Sequence, residues 1–310
     1  MTSTSSNPLE SRRSRPPGWY GLKRGVQAGF AALWGIGFSS LAAVRRTHNR
    51  VHTTVEGGRV LVVAPHPDDE VVGCGGTVLA HKAAGAQVAI AYVTDGRRSR
   101  AFGLDSVAMA LTRRREAAAA ATILGVDRVD WLGFPEGDWS ATDLLVRLRR
   151  LTDAWAPAVI YAPSRVDFHP EHHRVAGALA RLLAAPPHAK EPIIRIYQVQ
   201  VPLGAMLANR VVDISAFEET CHAALMAYVS QRGSVLRSLR MKRYAGQAHQ
   251  LVGLAEEFWE LPAASYAAVH SGRPDEWLER YRGCRYLSVT DPAAYVVGRA
   301  ARRHLRASVA

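Results

Sequence analysis

The sequence predicts an α/β protein, a Rossmann-like doubly wound, mostly parallel sheet with helices on both faces. After Gly58, short β-branched runs alternate with longer segments rich in Ala, Leu and Arg. Those runs are continuously apolar, as strands buried on both faces must be. The chain has 310 residues, 48% hydrophobic and 21% charged, enough for one sizeable core. A disordered or fibrous class is excluded.

The predicted strands are Arg59–Ala64 (RVLVVA), Gln87–Thr94 (QVAIAYVT), Arg128–Leu132, Ala158–Ala162 (AVIYA) and Ile193–Val199. Each is short and β-branched, and each is followed or preceded by a segment long enough to cross back over the sheet. Those crossovers are predicted helices: Glu70–Ala84, Asp105–Leu124, Ser140–Ala154 and His172–Leu183. In such a fold ligands bind at the carboxyl ends of the strands, so function is sought there.

Two strand ends stand out. The first strand runs into Pro65-His66-Pro67-Asp68-Asp69-Glu70, then into a predicted Gly-rich turn, Gly73-Cys74-Gly75-Gly76-Thr77. Three successive acids and a His beside a core are costly unless a cation balances them. A helix N-terminus would account for one or two of the carboxylates but not for the His. The fourth helix opens on a matching cluster, Asp167-Phe168-His169-Pro170-Glu171-His172-His173. His169 and His172 stand three apart, where both rings can reach one crevice.

Two such clusters point to a divalent metal, and a His/carboxylate/His set with an open position suits a hydrolytic zinc. The adjacent pair Asp68/Asp69 fits a division of labour, one carboxylate as ligand and one as base for a metal-activated water. Which carboxylate does which is open at this level. The isolated His81, His222, His249 and His270 read as surface or satisfied core residues.

These residues resemble the PIG-L/LmbE-like family of zinc-dependent N-deacetylases, whose hallmarks are a His-Pro-Asp-Asp-Glu run after the first strand and a later His-Pro-Asp-His. Here they stand as His66-Pro67-Asp68-Asp69-Glu70 and His169-Pro170-Glu171-His172. Lesser marks follow in order: Thr94-Asp95-Gly96, Arg113 with Glu116, Leu124-Gly125-Val126, Leu132-Gly133-Phe134-Pro135, Val212-Asp213-Ile214 and Tyr228-Val229-Ser230-Gln231. The similarity spans roughly residues 58 to 260.

The resemblance implies that His66, Asp69 and His172 bind Zn2+, or another divalent ion, and that Asp68 is the general base. It implies that His169 stabilises the oxyanion and helps protonate the leaving amine. The implied reaction removes an N-acetyl group from an N-acetylglucosamine-type sugar on a lipid, inositol, thiol-precursor or natural-product conjugate. Asp167 and Glu171 are expected behind the ligands, Glu171 standing where the family usually has Asp. Arg97 and Glu136 are candidates for sugar hydroxyl contacts. Some relatives act instead as amidases or hydratases on other small substrates.

The net charge of +12 first suggests nucleic acid or an anionic membrane. Its location changes that. Residues 1–50 carry eight Lys or Arg against Glu10, and residues 299–310 carry Arg299, Arg302, Arg303 and Arg306 with no acid. Between 51 and 298 the tally is 27 basic to 26 acidic, so the body is nearly neutral. A polyanion-binding protein is therefore the lesser reading, and no nucleic-acid partner is expected.

The expected organisation is a basic leader at 1–50, a deacetylase domain at 55–295 and a basic tail at 296–310. Residues 1–18 are Ser/Pro/Arg-rich and predicted disordered. Residues 25–44 lack charge over twenty positions, yet four Gly, two Ser and a Gln make them a packed or interfacial helix ahead of a membrane span. In the tail Val297, Ala301 and Leu305 form an apolar stripe against the arginines. Residues 23–46 and 296–310 are thus candidates for peripheral membrane contact. Three scattered cysteines, Cys74, Cys221 and Cys284, argue for a reducing compartment and a cytoplasmic protein, at most attached to the inner membrane face. Homo-oligomers are compatible with all of this. Trp259, Trp277, Tyr281 and Tyr286 are expected either in the core or capping the sugar site.

Overall fold

Alternation along the buried strands creates the layers. Residues Leu61 and Val63 of β2 (Arg59–Ala64) join the core on one face, while Val60, Val62 and Ala64 join the core on the other. Strand β3 (Gln87–Thr94) divides in the same way, Ala89, Ala91 and Val93 against Val88, Ile90 and Tyr92. Both faces are apolar, so helices must cover both.

The computed structural model describes residues 51–53, 55–185, 191–271 and 292–309, with Leu33, Gly37 and Glu279. The remaining strands are β1 (Val51–His52), β4 (Arg128–Phe134), β5 (Val159–Ala162), β6 (Ile193–Ile196), β7 (Arg210–Asp213) and β8 (Ala255–Pro262). They form one eight-stranded sheet in the order β1-β7-β8-β6-β5-β2-β3-β4. All pairs are parallel except those of β8, which runs antiparallel to β6 and β7. The predicted doubly wound, mostly parallel sheet is present. Its order reverses between β2 and β5, and the crevice above that switch point is where such sheets bind ligands.

One face carries α1 (Asp69–Ala83), α2 (Ser106–Leu124), α6 (Glu218–Met226) and α7 (Arg232–Ala248), whose Val71, Ala117, Leu225 and Val235 share a core. The other carries α3 (Ala141–Trp155), α4 (Pro170–Ala184) and α8 (Ala263–His270), through Leu148, Leu179 and Ala267. A short α5 (Gly204–Leu207) precedes β7. The helix starts have local causes. Asp105 caps α2 by accepting from the N–H groups of Val107 and Ala108, and Gly125 ends it in the left-handed conformation.

Three expectations are corrected. The fifth predicted strand ends at Ile196, not Val199. The fourth predicted helix starts earlier, at Pro170, because His169 is its N-cap and Pro fits the first helical position. The glycine run 73–77 is no turn: it lies inside α1. A side chain at Gly73 would sit 2.5 Å from Tyr197 Cδ2, and one at Gly76 would sit 2.4 Å from Ile214 Cδ1, so these glycines let the helix approach its neighbours. Finally, β7 and β8 lie in a stretch for which no elements were predicted.

Helix α1 is broken at Cys74, whose φ is −149°. The break frees N–H groups, and a residue 180 positions away accepts them: Glu256 takes Gly76 N at 3.0 Å and Thr77 N at 2.8 Å. Lys242 pairs with the same buried carboxylate. Glu256 thus serves as the cap for the second part of α1.

At the C-terminus, α9 (Pro292–Ala307) spans the expected boundary at 295/296. Ala301 and Leu305, two members of the predicted stripe, are buried in the domain core. Arg302 donates to Pro202 O at 2.9 Å and Arg306 to Met206 O at 3.2 Å. That face of the tail is occupied by the protein itself. Among the described residues no helix is long and apolar enough to cross a membrane. Apart from Leu33 and Gly37, the leader 1–50, with its segments 1–18, 23–46 and 25–44 as membrane or packing candidates, lies outside the described residues, as do Cys284, Trp277, Tyr281 and Tyr286. Trp259 is a core residue, and Cys74 and Cys221 are buried free thiols.

Candidate active site

The two motifs meet at the switch point. Residues His66 to Asp69 leave the end of β2, and Asp167 to His172 leave the end of β5. With Gly96, Arg98, Glu136 and residues of α7 they line a cavity of about 380 Å³. His66, Asp68, Asp69 and His172 are each at most 8% exposed.

Asp69 lies between two imidazoles. Its Oδ2 is 3.2 Å from His66 Nδ1 and 3.2 Å from His172 Nε2, and it accepts the backbone N–H of His66 at 2.8 Å. His172 is held from behind by Asp167, whose Oδ2 is 3.0 Å from its Nδ1. The other oxygen of Asp167 accepts from Gln200 N and Val201 N, each at 2.9 Å. This carboxylate–imidazole pair fixes the ring and aims Nε2 into the cavity.

Glu171 also lines the cavity, but its carboxylate accepts from the Trp139 indole N–H and lies 3.2 Å from Arg174 Nη1, so it braces α4 against the loop at 139. The longer side chain reaches that loop, which accounts for Glu in place of Asp. His169 Nδ1 accepts the backbone N–H of Glu171 at 3.3 Å, as the cap of α4. That contact puts the ring proton on Nε2 in the neutral tautomer. His169, His66 and His172 cluster with ring centroids 4.7, 5.4 and 5.0 Å apart.

Asp68 has backbone φ 135° and ψ −23°, a conformation side chains rarely adopt. Arg113, from α2, donates to its Oδ1 at 2.8 Å and also to Pro67 O. Glu70 accepts the Asp68 N–H at 3.1 Å and the Tyr228 hydroxyl, so two further groups pin the turn.

Burial raises the Asp68 carboxyl, Arg113 opposes this and Asp69 adds to it, leaving it at about 6. Asp69 is driven well below the usual carboxylate range, because the charge and hydrogen bond of His172 and those of His66 overcome burial. Against burial, a hydrogen bond to Asp69 and the nearby Glu136 carboxylate lift His66 to about 9, and Asp69 with Asp167 lifts His172 to about 10. Burial and the neighbouring imidazoles press His169 down to about 2.

The donor set fits a divalent cation. Ring nitrogens of His66, His169 and His172 lie within 4.8 Å of one another, and Asp69 Oδ2 lies between His66 and His172. His66 Nε2 is buried and, among the described residues, has no hydrogen-bond partner; Glu136 Oε1 is 3.6 Å away. The carboxylates draw positive charge onto His66 and His172, the charge a metal would supply.

Of the sugar-contact candidates, Glu136 lines the cavity and accepts from Arg98 N at 2.9 Å. Arg97 does not line it: its guanidinium turns back to Asp95 at 2.6 Å. Arg98 occupies the place expected for Arg97. Sequence reasoning also missed Ser234 and Arg237 of α7, in a helix whose arginines carry no spacing signal. Gln231 lay within a noted mark, but no role followed from it. The isolated His81, His249 and His270 are buried with partners, as expected.

The family model described as PIG-L, GlcNAc-PI de-N-acetylase, matches residues 61–183. The chain is 27% identical over 212 residues to a probable N-acetyl-α-D-glucosaminyl L-malate deacetylase 2 of Bacillus cereus, covering 64% of this chain and 96% of that protein. It is 27% identical over 234 residues to a 1D-myo-inositol 2-acetamido-2-deoxy-α-D-glucopyranoside deacetylase of Mycolicibacterium vanbaalenii, covering 57% and 82%. A conserved protein of Thermus thermophilus has a solved structure that superposes with TM-score 0.55 at 33% identity, covering 66% of this chain and 94% of that one. With both hallmark motifs brought into one crevice, this chain belongs to the PIG-L family of deacetylases.

Proposed function

We propose that the protein is a zinc-dependent hydrolase that removes the N-acetyl group from an N-acetylglucosamine-type sugar carried on a larger conjugate. The observation that carries this is the placement of Asp68 beside a His66/Asp69/His172 cluster in one cavity, with His169 on its rim. The names of the relatives, acting on GlcNAc-malate and GlcNAc-inositol, support the sugar and the conjugate.

His66, Asp69 and His172 would hold the ion. When bound, it lowers the pKa of a water and polarises the acetamide carbonyl. Asp68, with a carboxyl near 6, is ionised at neutral pH and accepts the proton of the attacking water. Arg113 keeps that carboxylate charged and, through Pro67 O, fixed in place. His169 is neutral, and its Nε2–H donates to the oxygen that gains charge as the carbonyl carbon becomes tetrahedral. The proton held by Asp68 then passes to the leaving nitrogen, giving acetate and a free amine.

The test is metal analysis of the purified protein combined with amine release from GlcNAc-lipid, GlcNAc-inositol and GlcNAc-malate conjugates. Stoichiometric zinc and acetate release that vanish in Asp68→Ala are expected. Full activity in Asp68→Ala, or no amine from any conjugate, sinks the proposal.

A further inference from the structure

The loop after β4 places Glu136 in the cavity wall, and the helix that carries the second motif holds that loop. Glu136 Oε1 is 3.6 Å from His66 Nε2, and its other oxygen accepts from Arg98 N at 2.9 Å. At its near end the loop is tied to Asp95, which accepts the Glu136 N–H at 3.2 Å. At its far end the buried Trp139 donates its indole N–H to Glu171, which stands between His169 and His172 in the chain and is buried as well. Arg174, one turn along α4, completes a clasp. Its Nη1 lies 3.2 Å from Glu171 Oε1, its Nη2 donates to Trp139 O, and its Cζ sits 3.9 Å from the centre of the Trp139 ring.

The clasp joins two parts of the site. Only Gly137 and Asp138 separate Glu136 from Trp139. That stretch is a closed turn, with Asp138 N donating to Pro135 O at 3.1 Å and Gly137 at φ +82°, so it has little slack. A buried indole N–H and a buried carboxylate keep their contact, because separating them leaves both unpaired away from water. The loop therefore goes where the Glu171 carboxylate is. Reach is what matters at this position: an aspartate would be one methylene short, so either the loop is drawn toward α4 or the indole loses its acceptor.

We infer that Glu171 and Trp139 are positioning residues for the sugar: their contact sets where the Glu136 carboxylate stands beside His66, and with it the fit of the sugar hydroxyls that Glu136 accepts from. This rests on the N-deacetylase reading, with Glu136 as the hydroxyl acceptor, and assigns the residues that place it. His172 is held separately, by Asp167, so losing the clasp should disturb the sugar and spare the metal. A displacement of the order of 1 Å in a group that orients a substrate is enough to be read in the kinetics.

The experiment measures kcat and KM for each of the GlcNAc-lipid, GlcNAc-inositol and GlcNAc-malate conjugates from which the zinc-loaded full chain releases amine. In Glu171→Asp, KM should rise about tenfold or more on every such conjugate, with kcat and zinc content near those of the parent. Trp139→Phe keeps the ring without the N–H and should reproduce the rise. Glu171→Gln keeps the reach and an acceptor for the indole, so its KM should stay close to the parent value. Glu136→Ala should raise KM at least as much, and adding Glu171→Asp to it should raise KM no further, because a clasp that acts through Glu136 then has nothing left to position. An unmoved KM in Glu171→Asp, or a double variant whose rise is the product of the single ones, overturns the positioning role while leaving deacetylation standing. A fall in kcat with KM unmoved also overturns it and assigns Glu171 to the chemistry at His169. No amine from any of the three conjugates overturns the deacetylase reading and the positioning role with it.

Discussion

Arg113 Nη2 donates to Asp68 Oδ1 at 2.8 Å inside the protein, across 45 residues of sequence. The pair joins α2 to the strained turn after β2. It also sets the charge of the proposed base, since burial and Asp69 raise the Asp68 carboxyl while Arg113 holds it to about 6. Activity should therefore rise with pH through about 6. In Arg113→Met the counter-charge is gone, so that rise should move to higher pH and kcat/KM at pH 7 should fall about tenfold or more. Asp68→Asn should lose about 10²- to 10⁴-fold in kcat with its zinc content intact. An unmoved pH profile in Arg113→Met refutes the coupling.

The Asp167–His172 contact predicts a different signature. Asp167→Asn keeps the shape but weakens the acceptor behind the ring, so metal affinity should fall about 10- to 100-fold. Competition with a chelator measures this. Unchanged zinc retention would mean that the His172 ring is held by packing alone.

Glu256 caps the broken helix α1 and neutralises Lys242, and neither side chain lines the cavity. Glu256→Gln leaves a buried ammonium without its counter-charge and should destabilise the fold by about 3–5 kcal/mol in urea unfolding. Adding Lys242→Met should recover part of that loss. If the double variant is no more stable than the single one, the capping of Gly76 and Thr77 dominates.

His81 gives a pH signature on stability. It is buried at the end of α1, with its Nδ1 2.9 Å from Glu56 O and its Nε2 2.9 Å from the Tyr161 hydroxyl. Burial and then Arg195 push it down to about 4. Between about 4 and 6.5 the unfolded chain binds a proton that the folded chain refuses, so stability must fall as pH drops through that window and be flat in this respect above it. His81→Gln should lose less stability than the parent between pH 6.5 and 4.5. Below 4.5 the loss of Glu56, held at about 2 against burial by Arg195 and Arg210, adds its own decline. Parallel curves for the two proteins would contradict the assignment.

Residues that carry local chemistry were legible in the sequence. The apolar run Arg59–Ala64, the acids and His at its end, and the second His cluster after Asp167 declare themselves because strand period and motif spacing are properties of neighbouring residues. So did the doubly wound sheet, since alternating strands and helices admit few other packings. Arg97 and Arg98 show the limit. Both are arginines in one turn, and only the path of the backbone decides that one turns to Asp95 and the other into the cavity over Gly137. Glu171 shows it again: its chemistry was visible, but its partners Trp139 and Arg174 were not.

The sequence by itself determined the strands and helices from 59 to 185, the two motifs and the kind of chemistry they serve. The tertiary structure decided what lies between the motifs and around them. The sheet order puts β2 beside β5, and only then does Asp69 meet His172, 103 residues away, at 3.2 Å. It also brings Glu256 to α1 and Arg237 to the cavity, contacts between segments far apart along the chain. Those contacts depend on which strands pair and which helix face is buried, and that is settled by the packing of the whole core, not by the period of any one segment.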